Sequence, residues 1–447
     1  MADLETLAAK MLDAAKRAGA EAADAIVVQG DSLSIEVANG ALEHAERAEG
    51  IDLGLRVLLG QRSAVVSVSD ASDTTIATMA ERAVAMAGVA PEDPNIGLAE
   101  PSQLAKGWDI DALELVDPAE PASPADLKEM ALEAEAAALA VNGVDKVDSS
   151  GGSYSKSSIH LAASNGFSGG YGRTSTGLYC TAITGEGLEM ERDYKGDSRV
   201  FAADMLGAEE VGRIAGERAV ARKGASKPPT GAFPVLFDER ISSSLIGHMI
   251  AAINGRSIAR GASWLKDALG ERVLPEGMDL IEDPFRPRVG GSKPFDGEGL
   301  PVEKRAWNEG GVLTGWVLDL ASARQLGMES TGNAARGAGS APSPSVGNLT
   351  LTPGVKTSNQ LIADMGTGLV ITSMIGSSVN PNTGEYSRGA SGFWVENGAI
   401  VRPVNECTVA GNLRDMLGSI VAANDGQAHL SRVIPSLLVE GLTIAGS

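Results

Sequence analysis

The stretch DSLSIEVANGALEHAERAEGIDLGLRVLLGQRSAVVSV, residues 31 to 68, decides how the fold is read. Leu33, Ile35 and Val37 sit at every second position, as do Leu53, Leu55, Val57 and Leu59, and then Ala64, Val66 and Val68. A period of two puts these side chains on one face of an extended chain, so each run predicts a half-buried strand. Asn39-Gly40 and Gly60-Gln61 lie between the runs and supply the tight reversals that an antiparallel meander needs. Upstream, Leu4, Leu7, Ala8, Met11, Leu12 and Ala15 recur at helical spacing before Gly19; downstream, Ile76, Met79, Ala80, Ala83, Val84 and Ala87 form another stripe from about Asp73. The first unit therefore reads as helix, several strands, helix.

Residues 91 to 124 hold six prolines and many acids, which predicts a surface strap, read as a solvated linker rather than a segment wrapping a partner. Ser123-Pro124 caps a helix carrying Leu127, Met130, Ala131, Ala134 and Val141. Strands follow, with Ser158–Ala163 turning at Asn165-Gly166 toward Tyr179–Ile183, and then a helix near Ala208 to Arg222. Lys223 to Phe233, KGASKPPTGAF, is the best linker, so two domains are expected, residues 1–224 and 225–447. Beyond it come a strand at Phe233–Phe237, a helix from about Ser242 to Asn254, a hairpin turning at Asn397-Gly398 and a last helix from Asn412. The fold class is α+β, an antiparallel meander with flanking helices followed by a β-rich second domain.

Composition excludes several functions. Lys plus Arg number 37 against 58 Asp plus Glu, a net charge of −21, which argues against nucleic acid and anionic membranes as partners. No apolar run reaches the roughly 18 residues a membrane helix requires. The charged N-terminus lacks the apolar core of a secretory signal, so a cytoplasmic location is expected. Two cysteines, Cys180 and Cys407, make no disulfide framework and fit a reducing compartment.

Local motifs for catalysis are weak. The four histidines, at 44, 160, 248 and 429, are far apart, and no HExxH-like helix pair exists. His248 follows Gly247 on a helix behind Asp238-Glu239 and is the most suggestive, although a partly buried structural histidine explains it better. Gly389-Ala390-Ser391-Gly392 misses the GxSxG elbow, and nothing near Cys407 activates its thiol. The glycine-rich loop Thr331 to Ser343 lacks a phosphate-binding pattern and reads as a long loop with Arg324 and Arg336 as surface charges, along which an extended peptide can lie.

The second half nevertheless carries a familiar succession: SSLIGHMIAAINGRSIARGASWL (243–265), STGNAARG (330–337), PSVGNLTLTPG (344–354), GLVITSMIG (368–376), NPNTGEYSRGASGFWVENGAI (380–400) and RPVNECTVAGNLRDML (402–417). In this order the segments resemble the TldD/PmbA family of metalloproteases, also called modulators of DNA gyrase, and the likeness spans almost the whole chain. The resemblance implies a cytosolic enzyme of two related subunits, of which the TldD type holds zinc through HExxxH on the helix after the linker and a later cysteine. Here those helix positions fall on Ile246, Gly247 and Ala251, none able to bind metal or move a proton. The sequence therefore looks like the PmbA or TldE type, with no catalytic residue, no metal ligand and no cofactor of its own. The resemblance places zinc in a TldD-type partner, with this chain forming a heterodimer around unfolded or extended peptides, or a homodimer when alone. Candidates near the cavity are His248, Arg336 and Cys407, and the glycine-rich loops are the expected wall. Two other readings remain, a regulatory protein acting indirectly on gyrase and an enzyme with an unrecognised site.

Overall fold

A computed structural model describes residues 3–446, apart from the side chain of Ser377. The chain is α+β. Helix α1 (Leu4–Arg17) starts at Asp3, whose side chain accepts from the Glu5 amide, and buries Leu7, Ala8, Met11, Ala14 and Ala15. The meander follows as β1 (Ala22–Ala38), β2 (Ala41–Leu59) and β3 (Arg62–Val68), with α2 (Asp73–Val89) returning across it. Asn39 and Gly40 both take positive φ, 54° and 73°, the two left-handed positions of the predicted reversal. The alternation described above is therefore real, but both long strands extend well past it into polar sequence. In β2 the residues from Ala41 to Gly50 are exposed throughout, a charged sheet margin that hydrophobic periodicity cannot reveal.

After α3 (Pro124–Leu139), strands β4 (Lys146–Ala163), β5 (Ser168–Thr184) and β6 (Glu191–Arg199) join the same sheet, in the order β3-β2-β1-β4-β5-β6. The turn at Asn165-Gly166 is present, but the expected pairing of Ser158–Ala163 with Tyr179–Ile183 is not. Ser158 faces Gly172 and Ala162 faces Ser168, while Tyr179 and Ile183 face Gly151 and Lys146. A tight turn forces neighbours in sequence to pair first, so Ser158–Ala163 meets the strand that immediately follows the turn. Helices α3 and α4 (Ala208–Ala221) cover this half of the sheet, packed so closely that a Cβ on Gly212 would lie 1.9 Å from the Ala134 carbonyl oxygen.

In the second half, β7 (Gly231–Phe237) runs parallel to the strand Gly368–Val379 and antiparallel to Leu437–Ala445. Strands Glu385–Glu396 and Ala399–Asn412 continue the sheet, and Ala399–Asn412 also pairs with Leu437–Ala445, so the five strands close on themselves. Such a small barrel has room only for side chains. Val235, Phe237, Leu369, Ile371, Val409, Val439 and Ile444 belong to its core, together with Leu245, Ile246 and Met249 from α5 (Glu239–Ala252).

The proline-rich segment is neither a free linker nor open to a partner along its length. Arg324 donates to the Asn95 and Leu98 carbonyls at 3.2 and 2.7 Å, and the Ala105 amide donates to Gly299. Trp108 stacks edge-on against Phe295 at 4.9 Å, and Thr174 of β5 donates to Leu115. The strap thus ties the first sheet to the second half. Arg324 is accordingly no surface charge, and neither is Arg336, whose side chain is 1% exposed and ion-paired to Asp24 of β1. Both corrections have one cause: a cation meeting carbonyls or a carboxylate from remote sequence leaves no local signature.

Candidate functional site

Helix α5 begins where Asp238 accepts from the Arg240 amide, immediately after β7, so the barrel fixes its position. Along it, Ile246 is fully buried in the core, Gly247 is half-buried and Ala251 is exposed. The three positions where the resemblance places zinc ligands therefore point into three environments, and none carries a donor atom. The residues present do not fit a zinc ion. Among the described residues, no group of three or more His, Cys, Asp or Glu side chains is arranged to hold a metal. Close packing does not explain the glycine, since a Cβ on Gly247 would meet only an Arg432 nitrogen at 3.4 Å.

The other sequence candidates lie apart. His248 packs edge-on against the Tyr386 ring at 5.7 Å, its Nε2 buried without a partner, and burial, aided by Arg388, lowers its pKa. Cys407 donates its thiol to the Ala390 carbonyl at 3.2 Å, and burial pushes the thiol up to about 11, which leaves it protonated near neutrality and a poor nucleophile. Tyr386 and Ala390 are four residues apart on one strand, about 13 Å. Arg336 belongs to neither neighbourhood. Its Nη1 and the Arg56 guanidinium both reach the buried Asp24 carboxylate. Burial alone would raise that carboxyl, but Arg56 and Arg336 outweigh it and hold the pKa below its ordinary value.

A concavity runs between the first sheet and the second half. Its outer chamber, about 470 Å³, lies among β5, β6, α4, the first turn of α5 and the segment Gln427–Leu430. A middle chamber of about 340 Å³ shares Ser198, His429 and Leu430 with it, and an inner chamber of about 370 Å³ shares Arg173 and Ser431 with the middle one. The three adjoin one another in a row, and each is lined in part by residues 427–431; together they are called the cleft. Only Arg336 of the sequence candidates lines it, with Ala334 and Ala335 of the glycine-rich loop.

The cleft is rich in cationic side chains. Lys195, Arg218 and Arg240 line the outer chamber, Arg199 and Arg288 the middle one, and Lys293 and Arg336 the inner one, with Arg173 between. Asp197, Glu239 and Asp296 line the same chambers, and Asp193 and Asp238 pair with Arg240. Arg199 pairs with Asp197 at 2.9 Å and Arg288 with Glu114 at 2.8 Å, whereas Arg173 and Arg218 reach only carbonyl or hydroxyl oxygens. His429 Nε2 stands 3.7 Å from Asp197, and burial, with Arg199, lowers its pKa. Ser198 is hydrogen-bonded to Ser175 at 3.0 Å and not to His429, so no activated nucleophile is assembled. Burial, and then Asp238, raises the Glu239 carboxyl. The arrangement can bind and orient an extended, anion-bearing chain. Sequence reasoning missed most of these residues because they come from segments remote in the chain, and only GGSKPFDGEG (290–299), a lysine and two acids among glycines, offered a local hint.

Comparison with known proteins agrees with this architecture. Three signatures of the PmbA/TldA metallopeptidases match the chain: domain 1 at residues 23–87, the central domain at 117–223 and the C-terminal domain at 230–446. The chain is 36% identical to the metalloprotease PmbA of Escherichia coli O157:H7 over 97% of its own length and 94% of that protein. A crystal structure of a candidate modulator of DNA gyrase from Bacteroides thetaiotaomicron superposes with a TM-score of 0.90 at 28% identity, covering 99% of each chain. TldE of Thermococcus kodakarensis, 20% identical, shares the fold with a TM-score of 0.85 over 98% of this chain and all of that one.

Proposed function

The chain belongs to the PmbA/TldA metallopeptidase family, and from that premise we propose that it is the zinc-free subunit of a two-subunit peptidase, holding extended peptide for a zinc-bearing TldD-type partner. The observation that carries this reading is the fate of the metal positions on α5: Ile246 in the core, Gly247 without a side chain and Ala251 in solvent. Those three positions can supply neither a metal ligand nor a general base. What the chain retains is the cleft. Its outer chamber is lined by Tyr194 to Ser198 of β6, the margin of the six-stranded sheet, whose outer backbone groups have no strand partner. An extended peptide can add to such a margin through main-chain hydrogen bonds without regard to its sequence. Folded proteins present no free extended segment and are refused.

The reading is tested by reconstitution. This chain and its TldD-type partner, purified separately, are expected to be inactive or nearly so apart and to cleave an unstructured peptide when mixed. His248→Ala and Cys407→Ser in this chain should leave the rate of the pair within about twofold, since neither touches the cleft. One tightly held zinc per chain together with peptidase activity of this chain alone would overturn the assignment.

A further inference from the structure

Two arginines that line the inner chamber keep three guanidinium nitrogens buried in its wall without a hydrogen-bond partner. Arg336, pinned to Asp24 through Nη1, leaves Nε and Nη2 buried without a partner, and Arg173 leaves Nε buried in the same state although its terminal nitrogens donate to Gly290 and Ser292. A buried donor left unmade costs more than a hydrogen bond returns, so native proteins seldom tolerate several together unless a ligand completes them. Lys293 lines the same chamber, makes no ion pair among the described residues, and has its pKa lowered chiefly by burial. The one carboxylate lining the chamber is already engaged: Asp296 accepts from the amides of Glu298 and Leu300 on one oxygen and from that of Ala334 on the other. Arg56, Arg173, Lys293 and Arg336 stand against Asp24, Asp296 and the nearby Glu282, four positive charges against three negative, so one positive charge remains. The rest of the wall is apolar, with Ile26, Ile159, Leu161, Phe295 and Val346. A volume of about 370 Å³ falls at the small end of the range for ligand pockets, roughly 300–1,000 Å³.

We propose that this inner chamber is a subsite for a carboxylate carried on an apolar group, and that the ligand is the C-terminal end of a peptide lying in the cleft. Lys293, Arg173 and Arg336 take the carboxylate, and the apolar wall takes the last side chain. A phosphate fits less well, because it would bring a second negative charge and no apolar part to a wall that is largely hydrocarbon. The peptide end is favoured over a small free acid because the chamber adjoins the middle chamber, with which it shares Arg173 and Ser431, so the preceding residues have a neighbouring space to occupy. The proposal rests on the reading of the cleft as a peptide-holding site.

The test is binding to the purified full-length chain without any partner, followed by fluorescence anisotropy of an N-terminally labelled, unstructured peptide ending in leucine, prepared as the free acid and as the C-terminal amide. The acid is expected to bind about tenfold more tightly than the amide, the worth of one charge-assisted contact set. Lys293→Met should abolish most of that preference and Lys293→Arg should retain it, with thermal melts confirming that both variants fold. Equal binding of acid and amide, or an undiminished preference in folded Lys293→Met, overturns the subsite. Acetyl-leucine matching the peptide acid in affinity would overturn the assignment to a chain end. Reconstituted peptidase activity is a separate readout: its failure beside an intact acid preference removes the two-subunit reading and leaves the subsite standing.

Discussion

Two buried carboxyl groups near the seam between the halves respond to pH in opposite senses. Asp24 is held below its ordinary pKa by Arg56 and Arg336 against the cost of burial. The stability it contributes is therefore present above the unfolded value of about 3.9 and is lost as pH falls through the lower folded one. Arg336→Gln should cost about 1–3 kcal/mol at neutral pH, by stranding part of that carboxylate, and should flatten the loss of stability between about pH 5 and 2 in chemical denaturation series. Glu298 is pushed up to about 8, first by burial and then by Asp296, while accepting from the Leu320 amide at 2.9 Å. Its raised pKa means that stability is fully present below the unfolded value near 4.3 and is lost as pH rises through 8. Glu298→Gln should then be close to neutral at pH 5 and stabilising by about 1–3 kcal/mol at pH 9. A melting temperature for the variant that tracks wild type across that range would refute the assignment. Neither group was legible in the sequence, because Asp24, Arg56 and Arg336 are brought together only by tertiary structure and each resembles an ordinary surface charge when read alone.

Helices and turns were far more readable. The capping serine at Ser123, the stripe on α1 and the Asn-Gly reversals each act within a few residues, and the structure reproduces them at Pro124–Leu139, Leu4–Arg17 and Asn39-Gly40. Strand pairing was read less well because register depends on which neighbour a strand meets. The α5 positions illustrate what an element permits. Installing Ile246→His, Gly247→Glu and Ala251→His should give neither stoichiometric zinc nor peptide cleavage, since one imidazole would be forced into the core and the other would stand in solvent. The core imidazole should cost roughly 2–5 kcal/mol, and Gly247→Glu alone should fold, as only the Arg432 side chain lies near. Metal analysis and a denaturation curve on the single and triple variants separate these effects. A similar contrast holds between α3 and α4, where Gly212→Ala should destabilise by about 1–3 kcal/mol because the Ala134 backbone cannot retreat without parting the helices.

At the scale of the whole molecule, the strap and the seam decide how the halves stay together. Arg324→Ala removes both hydrogen bonds to the strap carbonyls, so limited digestion with a non-specific protease should cut between about residues 95 and 115 several-fold faster than in wild type. Unchanged cleavage would mean that Trp108 and the Leu115 pairing suffice. The cleft was illegible at the sequence level for the same reason as the seam: its walls are drawn from β5, β6, α4 and two late loops, and no motif spans them. What the sequence did disclose was its family pattern and the missing donors at Ile246, Gly247 and Ala251, both of which survive without knowing the fold.

The strap also imposes a delay on biosynthesis. Leu98 and the guanidinium that clasps it are 226 residues apart, so at about 5–20 residues per second a ribosome needs roughly 10 to 45 seconds to make the second after the first has emerged. For that interval the segment can meet the first sheet, but its contacts to Gly299, Phe295 and Arg324 cannot form. Its prolines and acids keep it extended, hydrated and unable to pair as a strand, which suits a piece of chain that must wait in the open. A more apolar strap would bind better at the end and aggregate on the way there; the composition that first made it look like a mere linker is what lets it arrive late.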